Sequence, residues 1–197
     1  MQKEKIMSIL ICASDTQFSE IAEDSLALTN DLYRIHTLKG FRTVSGFDAF
    51  FFLNVAYEDI HRIDFNNRPV FLNEVARTSE ELSLPKNFFR LNAWPGFLRR
   101  GLWEVAGAAD ERAKKAAAIL GRQLVFVGDV PGLVSATVIC NIILEARIAL
   151  KEGVSTREEI DKAMKLGTNY PMGPFEWERQ IGAENVEQLL ERLGRHE

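Results

Sequence analysis

The stretch GVSTREEIDKAMKLGTNYPMGPFE, Gly153 to Glu176, decides the character of the second half of the chain. Ser155, with Glu158 three residues on, predicts a capping box at a helix start. Ile160, Ala163 and Met164 then share one face, while Glu158/Lys162 and Asp161/Lys165 form i,i+4 pairs. Gly167 predicts the stop, and Pro174 opens the next helix. Working upstream, Asp129-Val-Pro-Gly132 reads as a turn. Leu133 to Leu150 is apolar nearly all round, which marks a central buried helix. Downstream, Val186, Leu189, Leu190 and Leu193 predict a last amphipathic helix. Only helices are expected after the turn.

The first half reads differently. Ile6 to Ala13 is β-branched and apolar, as in a buried strand. Gln17 to Leu28 has helical spacing. Tyr33 to Leu38 alternates weakly and is a candidate strand. Asp48 to Ala56 (DAFFFLNVA) is the strongest strand, since three consecutive Phe residues suit a sheet covered on both faces. Pro69 to Leu72 and Phe88 to Asn92 are further strands, and Asn73 to Leu82 reads as a helix halted by Pro85. Asp110 is an N-cap, an Ala-rich helix runs to Leu120, and Gly121 follows its end. Gln123 to Val127 is the last strand. Strands and helices thus alternate up to the turn: an α/β sheet domain with an all-α extension. The Phe-rich strand is separated from the next by only Ile60 to Arg68. That is too short for a crossover helix, which with its loops takes about 10–12 residues or more.

Composition narrows the function. Of 197 residues, 46% are hydrophobic, and 24 Lys plus Arg against 28 Asp plus Glu give a net charge of −4. Such a chain can bury enough apolar surface to fold. The acidic balance disfavours general nucleic-acid binding, which needs a basic stripe. No apolar run is long enough to span a bilayer, and no leader-like segment is read at the start. A cytoplasmic protein, with neither nucleic-acid nor membrane partners, is the expectation. Cys12 and Cys140 both sit in apolar sequence and read as buried thiols. No Cys/His spacing points to a metal.

The Gly153–Glu176 block resembles the C-terminal domain of the 3-hydroxyacyl-CoA dehydrogenases of fatty-acid β-oxidation. DVPGLVSATVICNIILEA (Asp129 to Ala146) resembles the opening of that domain. FFRLNAWPGFLRRGLWEV (Phe88 to Val105) resembles the strand and loop that carry the family's catalytic His and Glu. The resemblance implies a shortened Rossmann-like parallel sheet domain over 1–128. It implies a helical, 6-phosphogluconate dehydrogenase C-terminal-like, dimerising domain over 129–197. It implies NAD-dependent oxidation of a 3-hydroxyacyl-CoA, with a His oriented by a Glu taking the hydroxyl proton.

Several positions depart from that pattern. The family's glycine turn falls on Ala13-Ser14-Asp15-Thr16-Gln17-Phe18, with all three glycines replaced. No Asp or Glu lies between Leu32 and Phe47 to hold the adenosine ribose. No cofactor is expected on this reading. The catalytic His position falls on Asn92, whose amide cannot take up a proton at neutral pH. Glu104 matches the orienting Glu. Asn73 keeps the Asn of a family Asn-Thr-Ser-Ser loop whose substrate-contacting Ser is lost, and is the candidate substrate residue; a further family Asn that helps hold substrate falls on Ala136. A family member with dehydrogenase activity lost or very weak is expected. The alternative is a non-catalytic dimeric binding or regulatory module. A homodimer and an acyl-CoA-like small molecule are the expected partners.

Overall fold

A computed structural model describes residues 7–22 and 32–196. Seven strands form one sheet: β1 (Ile9–Cys12), β2 (Leu32–Ile35), β3 (Ala49–Phe52), β4 (Val70–Asn73), β5 (Phe88–Leu91), β6 (Leu102–Ala106) and β7 (Gln123–Phe126). The order across the sheet is β2-β1-β3-β4-β5-β6-β7. β1 to β5 pair in parallel, β6 runs antiparallel to β5, and β7 is parallel to β6. A full doubly wound nucleotide sheet carries another strand outside the second. Here β2 is the edge among the described residues, so the Rossmann-like sheet is shortened on that side. β2 and β3 leave β1 in opposite directions. This reversal opens a crevice at the carboxyl ends of β1 and β3.

The Phe-rich strand shows why the sheet is covered on both faces. Successive side chains of a strand point to opposite sides. Phe51 stacks on Phe71 at 4.3 Å and joins Ile11, Phe89, Trp103 and Ala116 on one face. Phe50 and Phe52 join Leu10, Phe65, Val70 and Phe88 on the other. The helices α1 (Asp15–Ala22) and α3 (Glu111–Ile119) cover the Phe51 face. Asp110 caps α3 by accepting from the backbone N–H groups of Arg112 and Ala113, as its position predicts.

The second half is helical: α4 (Ser135–Lys151), α5 (Arg157–Thr168), α6 (Pro174–Ile181) and α7 (Ala183–Arg192). Its core joins Ile139, Cys140 and Ile143 of α4 to Trp177, Val186 and Leu189, and takes in Val75, Trp94 and Phe97 from the sheet's loops. Sheet and helices therefore share packing at the carboxyl edge. Burial pushes the Cys12 thiol up to about 11 and the Cys140 thiol up to about 12, so both stay protonated at neutral pH.

Five expectations differ from the structure. Asn73–Leu82 is not a helix: β4 runs to Asn73 and turns follow. There Glu74 and Glu81 spend their carboxylates on nearby loop N–H groups, those of Arg77 and Thr78. β6 arises in a stretch not read as a strand. The sheet is therefore not wholly parallel, because β6 reverses against β5. Between β3 and β4 stands only a one-turn helix, α2 (Tyr57–Ile60), in keeping with the short connection. The capping box of α5 uses Thr156 with Glu159, one residue on from Ser155 and Glu158, and the helix passes Gly167 to end at Asn169 with φ 55°. The helix expected from Gln17 is described as far as Ala22, and its continuation to Leu28 lies outside the described residues.

Phe51 is fully buried, stacked on Phe71 and edge-on to Trp103. Truncating Phe51→Ala is expected to lower the stability of the fold by about 3–5 kcal/mol, read as a shift of the urea unfolding midpoint.

Candidate functional site

The crevice at the strand ends holds two neighbouring cavities. The larger, about 270 Å³, is lined by Asn54, Asn73, Arg77 and Trp94 from the sheet side and by Asn185 and Gln188 of α7. The smaller, about 20 Å³, is lined by Asn92, Trp103, Glu104 and Ser135 among others. It has room for about one water-sized group. Asn92 and Glu104 thus line one cavity. Asn73 stands in the adjoining one.

Asn92 follows directly on β5, and only 4% of it is exposed. Its Oδ1 accepts from the backbone N–H of Trp94 at 3.1 Å. Its Nδ2 is buried without a hydrogen-bond partner. A buried amide N–H left unpaired costs about 1–3 kcal/mol, so Asn92 carries an unmet donor at this cavity. Glu104, on β6, is already engaged. Its Oε2 accepts from the backbone N–H groups of Val134 and Ser135, at 3.1 and 2.9 Å. These are orphan donors at the start of α4, and a carboxylate there also meets the positive end of the helix dipole. Asn73 accepts from the N–H of Ala93 at 2.9 Å and so joins the end of β4 to the loop after Asn92.

Other residues, not singled out in the sequence, complete the site. Arg77 binds Glu74 at 2.7 Å and Glu58 at 2.5 Å. The Arg77 guanidinium holds the Glu58 carboxyl below its usual range. Gln17 donates from Nε2 to the carbonyls of Leu53 at 2.7 Å and Ala93 at 3.2 Å. Fully buried Arg90, on β5, donates to the carbonyls of Glu74, Val75 and Val130 and pairs with Asp129. A charged residue within an otherwise apolar strand was the available signal for Arg90. Gln17 and Arg77 have no such mark. Among the described residues no group of three His, Cys, Asp or Glu side chains could hold a metal ion.

The residues after β1 test what a dinucleotide would meet. Ala13 is fully buried. Ser14 and Gln17 cap α1 reciprocally: Ser14 Oγ accepts from the Gln17 N–H, and the Ser14 N–H donates to Gln17 Oε1. This turn offers no glycine cradle for a pyrophosphate. The end of β2 differs: Arg34 lies over the Phe18 ring at 4.4 Å, and its Nε is buried without a partner among the described residues. That donor set suits an anionic group.

A family model described as 3-hydroxyacyl-CoA dehydrogenase, C-terminal domain, matches residues 132–196. The 3-hydroxyadipyl-CoA dehydrogenase of Escherichia coli (strain K12) is 39% identical over 98 residues, which are 47% of this chain and 21% of that protein. A probable 3-hydroxybutyryl-CoA dehydrogenase of Bacillus subtilis (strain 168) is 42% identical over 74 residues, 38% of this chain and 26% of that one. The matched stretches thus span about a fifth to a quarter of these relatives. Among solved structures, FadB2 of M. tuberculosis superposes with a TM-score of 0.73 at 16% identity, covering 95% of this chain and 87% of that one. The 3-hydroxybutyryl-CoA dehydrogenase of Escherichia coli K12 also gives 0.73, at 16% identity, over 98% of this chain and 54% of that one. At such identity the superpositions establish the fold: a Rossmann-like sheet with a helical C-terminal domain. No helix among the described residues is long and apolar enough to cross a membrane.

The expectation of no cofactor is overturned by these comparisons. The matched family and both curated relatives are dehydrogenases, and hydride chemistry is carried by a cofactor rather than by side chains. Missing glycines remove one way of seating a pyrophosphate, and other backbone and side-chain donors can seat one too. They therefore do not exclude a dinucleotide.

Glu104 is expected to hold the start of α4. Glu104→Ala should cost about 0.5–2 kcal/mol, seen in chemical denaturation, with Glu104→Gln costing less because it keeps an acceptor oxygen.

Proposed function

We propose that the chain, whose residues 132–196 match the C-terminal domain of the 3-hydroxyacyl-CoA dehydrogenases, binds an acyl-CoA-like thioester with its dehydrogenase chemistry slow or lost. The carrying observation is Asn92. Asn92 lines the small cavity beside Glu104, and its Nδ2, without a partner among the described residues, suits an acceptor oxygen on the acyl chain. With Oδ1 committed to Trp94, the side chain has nothing that takes up a proton. A general base typically contributes about 10²–10⁴ in rate. On this reading Asn92 and Glu104 occupy the positions of the catalytic pair, and Asn73 borders the substrate. The division at residues 128 and 129 into sheet and helical domains belongs to the same proposal.

A second reading, a dimeric binding or regulatory module, is favoured by Glu104, whose carboxylate braces α4 instead of orienting a base. The helical half carries the surface for pairing. Val134, just before α4, and Val138 on it are about half exposed, and an apolar groove of about 350 Å³ runs along Ile142, Ala146, Ile160 and Met164.

Two measurements test these readings. Acetoacetyl-CoA with NADH should be reduced more slowly than about 0.1 s⁻¹, against about 10 s⁻¹ for a typical enzyme. Asn92→His should raise that rate at least tenfold. Turnover of several per second by the unaltered chain overturns the slow-or-lost assignment. Sedimentation at micromolar concentration should give a species of twice 22.3 kDa, and a clean 22.3 kDa species counts against the dimer.

A further inference from the structure

The carboxyl end of edge strand β2 carries Arg34, His36, Lys39 and Arg42 within nine residues, with no acidic residue from Leu32 to Phe47. His36, Lys39 and Arg42 are exposed. In a doubly wound sheet this edge faces the adenosine ribose. An acid there binds the free ribose hydroxyls, and an arginine there accommodates a phosphate on the ribose.

The geometry adds a second observation. Arg34 lies over the Phe18 ring and pairs with Asp15 at 2.5 Å. Asp15, at the start of α1, is 86% exposed, and His36 Nδ1 lies 3.7 Å from the same carboxylate and 3.4 Å from Arg34 Nη2. The Asp15 carboxylate is thus an exposed surface anion occupying a cationic seat. The Arg34 guanidinium holds its carboxyl below the usual range. Arg34 Nε remains unpaired beneath. Arg42 donates to the Lys39 carbonyl, which keeps the two basic residues on one short turn.

We infer that this edge is a seat for the ribose phosphate of an adenine nucleotide, a group that displaces Asp15 from Arg34. Two nucleotides carry that chemistry: the 2′-phosphorylated nicotinamide dinucleotide and coenzyme A with its 3′-phosphate. The inference deepens the reading of this chain as a nucleotide-binding family member. It concerns binding alone, so its outcome is separable from the turnover test above.

Isothermal titration of the full chain with two pairs of ligands decides it. NADPH is compared with NADH, and coenzyme A with dephospho-coenzyme A; each pair differs by the one phosphate. The expected result is at least a tenfold preference for the phosphorylated member of one pair, since hydrogen bonds between charged partners are roughly twice as strong as neutral ones. The pair that discriminates identifies the source. Lys39→Gln with Arg42→Gln, both exposed, should cut the preference several-fold. Asp15→Asn should raise affinity for the phosphorylated ligand several-fold by vacating the seat, which a merely structural Asp15 would not do. Equal affinity within both pairs, or a preference untouched by all three substitutions, overturns the inference.

Discussion

A buried guanidinium on the central sheet governs how the two halves meet. Arg90 is fully buried on β5, and a charge in that setting is tolerated only when its donors are met. Its partners come from two places: the carbonyls of Glu74 and Val75 after β4, and Asp129 with the Val130 carbonyl before α4. Satisfying one side chain therefore fixes the loop that leaves the sheet and the turn that enters the helices. The turn is locked further where the Gly132 N–H donates to the Val75 carbonyl at 2.8 Å. Gly132 has φ 80°, and a Cβ there would lie 2.2 Å from Thr137 Oγ1, so only glycine fits. From that turn α4 starts within reach of Glu104, and the small cavity takes its shape.

A second buried arginine works the same way on the other side of the crevice. Arg122 donates to the carbonyls of Leu98, Glu20 and Ile21, while the Glu20 carboxylate accepts from the N–H groups of Gly96 and Leu98. The loop that follows Asn92 is thereby tied to the end of α1. Trp94 and Phe97 from this loop enter the helical core. The polar ties and the apolar packing act on the same segment, and together they leave Asn92 little freedom to find a partner for Nδ2.

Much of this was legible from local pattern. The Phe50–Phe52 run announced a doubly covered strand because apolar residues on both pleats leave no wet face. Asp110, Gly121 and Pro174 marked helix ends because each supplies a backbone group or angle that a helix end demands. Asn92 and Glu104 were placed together by resemblance alone, since no spacing rule joins a strand end to the next strand. The failures share a cause. Asn73–Leu82 has helical composition, but the carboxylates of Glu74 and Glu81 satisfy loop N–H groups, an option periodicity does not register. β6 begins with exposed Leu102 and carries Glu104 at its centre, so no apolar run marks it and its pairing depends on partners elsewhere in the chain. The lost glycines spoke only about one turn, and they were read too broadly as the loss of a cofactor.

Gln17 has a mechanical meaning beyond its place beside the site. Its amide reaches from the first turn of α1 to the ends of two strands, β3 and β5, that are not neighbours, stepping over β4 between them. It acts as a stay across the lip of the sheet. With that stay in place the strand side of the crevice moves as one piece. The opposite wall of the larger cavity is made by Asn185 and Gln188 of α7.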